Sequence, residues 1–212
     1  MHVKHWPIAV VAFALTGTAA AQDARPRFEI SPFVGYRTGG EFEVDDGNGE
    51  TDSVDLDDDA SFGLDLGLYR DGNSFYELLY SRQEAGVDSS VPGLSGIDVT
   101  TEYLHFGGTL LFDHETWYEP YLSLTVGATR LSPKSGGYDS ETKFSGSIGG
   151  GFRFPINERL AAVAGGRAYV TFIGSDTDLF CLSDVNGLNC LFRSSGSTYL
   201  QFEAQLGLSV RF

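Results

Sequence analysis

Beyond its first few residues the chain has two imidazoles, His105 and His114, and its alternating segments carry on their polar side the charges Glu29, Asp65, Glu77, Arg153, Arg167, Glu203 and Arg211. A histidine beside a serine and an acid can activate a hydroxyl for attack on an ester. Acids and arginines that meet away from water instead pair, because an unpaired buried charge is costly. Which chemistry is open to these residues depends on the faces and levels they share. A second group is the run EFEVDDGNGETDSVDLDDD, with ten acids between Glu41 and Asp59. Asp45, Asp46, Glu50, Asp55, Asp57 and Asp59 in this run offer hard oxygen ligands of the kind that hold Ca²⁺ or Mg²⁺. Neither DDGNGE nor DLDDDA has the glycine that a calcium loop needs at its sixth position. The expectation is therefore a solvated, mobile surface loop, with at most a low-specificity affinity for cations. The third group is Cys181 and Cys190, with no histidine or cysteine cluster nearby to complete a metal site.

The elements that carry these residues repeat with a period of two. In the C-terminal LQFEAQLGLSVRF, Leu200, Phe202, Ala204, Leu206, Leu208, Val210 and Phe212 alternate with Gln201, Glu203, Gln205, Gly207, Ser209 and Arg211, which is a strand with one apolar and one polar face. RFEISPFVGYR and SFGLDLGLYR repeat the pattern, and so do segments at Ser74–Gln83, Val99–Phe112, Trp117–Arg130, Thr142–Phe154 and Arg159–Ile173. That makes eight strands. The connections DGN, DHET and PINE are short and have turn chemistry, while those at Thr38–Ala60, Glu84–Asp98, Leu131–Glu141 and Gly174–Ser197 are long. Strict alternation of short and long connections is the asymmetry of a membrane barrel, with tight turns at one rim and loops at the other.

The faces agree with that reading. The polar face is mostly Gly, Ser, Thr, Gln and Tyr with charges of both signs, which suits a crowded lumen better than a solvated exterior. On the apolar face Phe28, Tyr76, Phe112, Tyr118, Phe154 and Phe212 fall near the short turns. Tyr36, Phe62, Tyr80, Phe144 and Phe172 fall near the long loops, so two aromatic girdles bracket an aliphatic band. The predicted fold is an all-β, eight-stranded, antiparallel, up-and-down transmembrane β-barrel. Counted from the turns, Asp65, His105, Arg167 and Glu203 form a lumen charge cluster near mid-height, in which Arg167 faces Glu203 and Asp65 shares its guanidinium from slightly below.

With these strands, turns and girdles the chain resembles the OmpA/OmpX-type outer-membrane β-barrel family over roughly Arg27 to Phe212. The resemblance implies a location in a Gram-negative outer membrane and contact with its lipids and lipopolysaccharide. It also implies that terminal Phe212 is the signal by which the barrel-assembly machinery recognises the chain. It implies a structural or surface-interaction role with four displayed loops and a largely closed lumen. The alternative is a passive channel of OmpW type for small solutes, hydrophobic ones among them. Some eight-stranded barrels are lipid A deacylases, but these need histidine, serine and acid at the lipid-facing outer rim. His105 points into the lumen and His114 lies in a short turn, so no catalytic role and no cofactor are expected.

The ends of the chain and its charge complete the picture. MHVKHWPIAVVAFALTGTAAAQ has a basic start, an apolar stretch and an Ala19-x-Ala21 ending, so residues 1–21 read as a secretory signal peptide and residues 22–212 as the barrel domain. Export makes a Cys181–Cys190 disulfide the expected state of the two cysteines. A formal net charge of -15 argues against nucleic acid as a partner. The topology is testable by labelling in a background lacking both cysteines. New single cysteines at Asn48 or Gly137 should react with an impermeant thiol reagent on intact cells, and one at Asn73 should not. The opposite pattern would invert the orientation.

Overall fold

The computed structural model describes residues 28–45, 51–88, 98–112, 117–134, 139–173, 177–184, 187–194 and 198–212. Eight long strands form the barrel: β1 (Phe28–Gly39), β4 (Asp59–Tyr69), β5 (Ser74–Asp88), β6 (Asp98–Leu111), β7 (Glu119–Pro133), β8 (Glu141–Pro155), β9 (Leu160–Phe172) and β12 (Thr198–Arg211). Each pairs antiparallel with its neighbour, and β1 closes the ring on β12 with Ile30 opposite Val210 and Gly39 opposite Gln201. The last residue is part of this seam, since the Phe212 amide donates to the Phe28 carbonyl at 2.9 Å.

The two faces have the polarity of a globular protein turned inside out. Val34, Leu124 and Leu206 on the outer face are each about two-thirds exposed, whereas Arg37, His105, Gln83 and Gln201 inside are almost fully buried. Such an exterior has no stable place in water and suits a hydrocarbon environment. The girdle residues Phe28, Tyr36, Phe62, Tyr76, Phe112, Phe144, Phe172 and Phe212 all face outward. Phe144 stacks on Phe172 at the upper level, at 5.9 Å between centroids.

The turns use the chemistry their residues suggest. Asp71 accepts hydrogen bonds from the Ser74 hydroxyl at 2.8 Å and the Asn73 amide at 2.9 Å, and the Ser74 bond foremost holds its carboxyl below the usual carboxylate range. Asn157 accepts from the Arg159 and Leu160 amides, both at 2.9 Å, in the turn between β8 and β9.

Two of the four long connections differ from the expectation of plain loops. The first holds the hairpin β2 (Glu41–Asp45) and β3 (Thr51–Leu56), and the last holds β10 (Thr177–Asp184) and β11 (Gly187–Ser194). The acidic run is thus largely strand, because Phe42 and Val44 alternate with its acids as a hairpin requires. The two hairpins meet at Ser194 and Val44, and β3 continues onto the upper end of β5.

Inside, large and small residues interlock. The ring of Phe33 points into the lumen and packs with Leu79, Tyr103 and Tyr169. A Cβ on Gly63 would overlap that ring, and one on Gly207 would press on the Phe33 side chain at 3.0 Å. Gly63→Val should therefore cost about 1–3 kcal/mol by overpacking. Combined with Phe33→Ala, its cost in urea unfolding from lipid bilayers should be smaller than the sum of the two single changes. Strict additivity would show that the glycine does not make room for the ring.

Candidate functional site

The candidate site is the polar interior, which is built in tiers. Nearest the short turns, Arg153 grips Glu29 with both terminal nitrogens, each at 2.6 Å, and also donates to Ser209 at 2.9 Å. Tyr69 donates to the same carboxylate at 2.6 Å and Arg211 at 3.1 Å, while Arg211 also reaches Glu119 at 3.2 Å. A forked guanidinium on a carboxylate is among the stronger polar contacts available to side chains.

The middle tier crosses the whole barrel. Arg167 on β9 donates to Glu77 on β5 at 2.6 Å, and these strands lie four places apart in a ring of eight. Ser147 accepts from the same guanidinium at 3.1 Å, and Thr109 donates to the far oxygen of Glu77. Gly149 leaves the path open, since a Cβ there would stand 3.3 Å from the Arg167 guanidinium carbon. Beside the pair is a cavity of about 30 Å³, lined in part by Asp65, Tyr121 and Gln205. The Asp65 Oδ1 and Gln205 Oε1 atoms have no protein hydrogen-bond partner, and a space of this size suits a single water.

In the upper tier Arg37 donates to Glu203 at 3.0 Å and to Ser81, while Ser61 donates to the same Glu203 oxygen. Tyr169 donates to the other oxygen at 2.5 Å. The Arg37 guanidinium lies 4.9 and 5.0 Å from the ring centres of Tyr103 and Tyr169, which stack on each other at 4.1 Å. Above them the Tyr103 hydroxyl donates to Gln201 at 2.8 Å, and Gln201 donates to Gln83 at 3.1 Å.

The four expected cluster residues all stand in this interior, but not as one group. Arg167 is the register partner of Glu203, as counting along the hairpin required. The expected ion pair between them is nevertheless replaced by Arg167–Glu77 and Arg37–Glu203. Glu203 has an arginine in register on each side, and its carboxylate is taken by Arg37 together with Ser61, Ser81 and Tyr169. Asp65 borders the cavity beside Arg167 and Glu77. Among the described residues His105 joins no ion pair: its ring is bonded to Thr125 at 3.1 Å and Ser145 at 2.7 Å. Arg37 and Glu77 are the partners that hairpin counting did not supply, although both lie on polar faces of their strands.

The other candidates separate. Asp57 and Asp59 are exposed, Asp45 and Asp55 lie on β2 and β3 opposite Thr51 and Glu41, and Asp46 and Glu50 fall outside the described residues. Among the described residues no group of three His, Cys, Asp or Glu is placed to hold a metal ion. Cys181 and Cys190 are register partners in the β10–β11 hairpin. Residues 1–27, including the expected signal peptide, and His114 also lie outside the described residues.

A closed antiparallel ring with an apolar exterior and ion-paired interior decides the class, and the sequence family described as outer membrane protein beta-barrel domain matches residues 8–212. The chain belongs to that family. It is an outer-membrane barrel of the Gram-negative type, as the strand pattern led one to expect. Solved structures similar to it include the outer membrane protein AlkL, at 14% identity and TM-score 0.61, covering 100% of this chain and 97% of that one. OprG from Pseudomonas aeruginosa is similar at 14% identity and TM-score 0.56, covering 88% and 96%. Neisserial surface protein A is similar at 16% identity and TM-score 0.54, covering 87% and 97%. These identities establish the shared fold alone. Among curated proteins none matches the sequence significantly.

The pairing in the tiers gives an ordered prediction for this family member. Arg167→Ala should destabilise the barrel by about 3–5 kcal/mol, because it leaves Glu77 and Asp65 facing each other without a cation. Arg167→Met with Glu77→Gln should cost much less. In double-mutant cycles measured by urea unfolding, Arg167 should couple to Glu77 more strongly than to Glu203. The reverse order would mean that Arg167 and Glu203 are the true pair.

Proposed function

We propose that this protein is a structural or surface-interaction component of the cell envelope, a barrel whose lumen is held closed and which displays its long connections outside. The observation that carries this reading is the middle tier, where the Arg167–Glu77 bond spans opposite strands and leaves a void of only about 30 Å³. Glu29–Arg153 lies below it and Glu203–Arg37, a pair between the neighbouring strands β1 and β12, above it, and the Arg37 guanidinium packs against the stacked rings of Tyr103 and Tyr169. An eight-stranded barrel is narrow enough for side chains to fill it. Breaking a buried ion pair leaves an uncompensated charge and is costly, so the three tiers oppose passage of a solute through the lumen.

The same geometry supports a non-catalytic role. The His105 ring is wrapped by threonine and serine hydroxyls and is shielded from the lipid face, so it has no access to an ester in the membrane.

The test is single-channel recording with purified protein in planar bilayers. The wild type should show no sustained conductance steps, and Arg167→Ala combined with Glu77→Ala should show brief small openings. Sustained steps in the wild type, or uptake of small apolar solutes into liposomes that contain it, would instead favour a passive channel of OmpW type.

A further inference from the structure

We propose that the lumen cavity beside Arg167 is a binding site for one small monovalent cation, sodium by size, held by Asp65 and Gln205. Charge is the first reason. Among the described residues the lower tier sets Glu29 and Glu119 against Arg153 and Arg211, and the upper tier sets Glu203 against Arg37. Both tiers are balanced. The middle tier has a single guanidinium, Arg167, for the two carboxylates Glu77 and Asp65. His105 stands apart, since its ring nitrogens are bonded to the hydroxyls of Thr125, Ser145 and Ser147. A buried carboxylate without a counter-charge is costly, so this tier calls for a cation that its own side chains do not supply.

The unmet acceptors are found at the same place. Asp65 Oδ1 and Gln205 Oε1, which can only accept, have no hydrogen-bond partner, and both residues line the cavity. They come from β4 and β12, the two neighbours of β1 in the ring. Gln205 is only 6% exposed, and its amide nitrogen is engaged by the Tyr121 hydroxyl at 3.3 Å, which leaves the oxygen as the unmet end. Two buried oxygens without donors, on the wall of one void, are the arrangement that a bound cation would satisfy.

Size and ligand type narrow the choice. The void of about 30 Å³ has room for one water or an ion of similar size. Water would meet the hydrogen bonds but supplies no charge. A divalent ion would bring one charge too many beside Arg167, and such ions favour more carboxylate ligands than Asp65 and Glu77 provide. Carboxylate, amide and phenol oxygens around a single excess negative charge suit a small, hard, monovalent cation.

The site rests on the middle tier and is independent of any surface role. The test is urea unfolding of the full-length protein from lipid bilayers, with sodium chloride exchanged for choline chloride at constant ionic strength. Binding to the folded state alone should raise the wild-type folding equilibrium constant about tenfold for each tenfold rise in sodium above its dissociation constant. Choline should not replace sodium. Asp65→Asn removes the excess charge, so this variant should ignore sodium and be at least as stable as the wild type in choline. Should Asp65→Asn fail to fold, Gln205→Leu must still weaken the sodium dependence several-fold. Asp57→Asn with Asp59→Asn, two exposed acids outside the lumen, should leave it unchanged. Equal stability in sodium and choline, or a sodium dependence that survives in Asp65→Asn, would overturn the proposal. A stability that shifts with pH and ignores sodium would assign the missing charge to a proton and overturn it as well. Failure here with a silent lumen in planar bilayers leaves the closed barrel intact, whereas conductance in a protein that keeps its sodium dependence would overturn the closed lumen alone.

Discussion

Everything in this molecule follows from one constraint: a backbone that crosses hydrocarbon must satisfy every amide and carbonyl within itself, and strands do so only when the ring closes. The β1–β12 seam is therefore the element on which the rest depends. It joins the two ends of the ordered barrel, with the backbones of Phe28 and Phe212 bonded to each other at the rim. Closure also aligns the seam's charges, bringing Glu29 into register with Arg211 and Arg37 with Glu203. Two of the three ionic tiers thus have one member on the first strand and another on the last, so the interior polar network and the backbone ring reinforce the same closure. Once the ring is closed, the period of two sorts side chains without further instruction, apolar outward and polar inward.

Much of this was legible in the sequence, and the reasons for success and failure are physical. Alternation and turn chemistry are local, so the eight barrel strands, their order and the outward aromatics could be read directly. Hairpin counting placed Arg167 opposite Glu203 correctly. It could not say which ion pair forms, since that depends on strand tilt and stagger around the barrel and on the β1–β12 register, for which no hairpin provides a count. Arg37 and Glu77 were visible as polar-face residues, but their roles are set across the lumen rather than along the chain. The outer hairpins left a usable signal. The sequence has Asn-Gly, the dipeptide most typical of a tight hairpin, ending at Gly187, the first residue of β11. Phe42 and Val44 alternate with acids in β2, where the density of negative charge hid the strand pattern.

Phe33 shows the same limit at the scale of packing. It is a large apolar residue on a polar face, in a segment where Pro32, Phe33 and Val34 interrupt the alternation. Sequence alone offers no reason for it to point inward. The reason is steric and non-local: Gly63 on one flanking strand leaves room for its ring, and Gly207 on the other lets the backbone and Cβ of Phe33 approach closely. A glycine on a lumen face is thus read properly only together with the bulky neighbour it accommodates.

The ionic character of the interior is not explained by stability. Apolar residues of similar volume would often hold a buried site as well or better than paired charges, because burying ions forfeits hydration that their attraction must first replace. The route to the membrane gives a better reason. A barrel strand with apolar residues on both faces would join its hairpin neighbour into a long apolar run, and a run of about 18 or more is read as a membrane helix and retained before export. Polar residues at every second position keep each strand below that threshold and keep the unassembled chain soluble. Filling a narrow lumen under that restriction requires polar groups that satisfy one another. Arginine with its five donors, set against carboxylates and hydroxyls, does so with few residues. The tiers of Glu29, Glu77 and Glu203 with Arg153, Arg167 and Arg37 are then the interior that remains available when strands must be half polar and their inward side chains are buried.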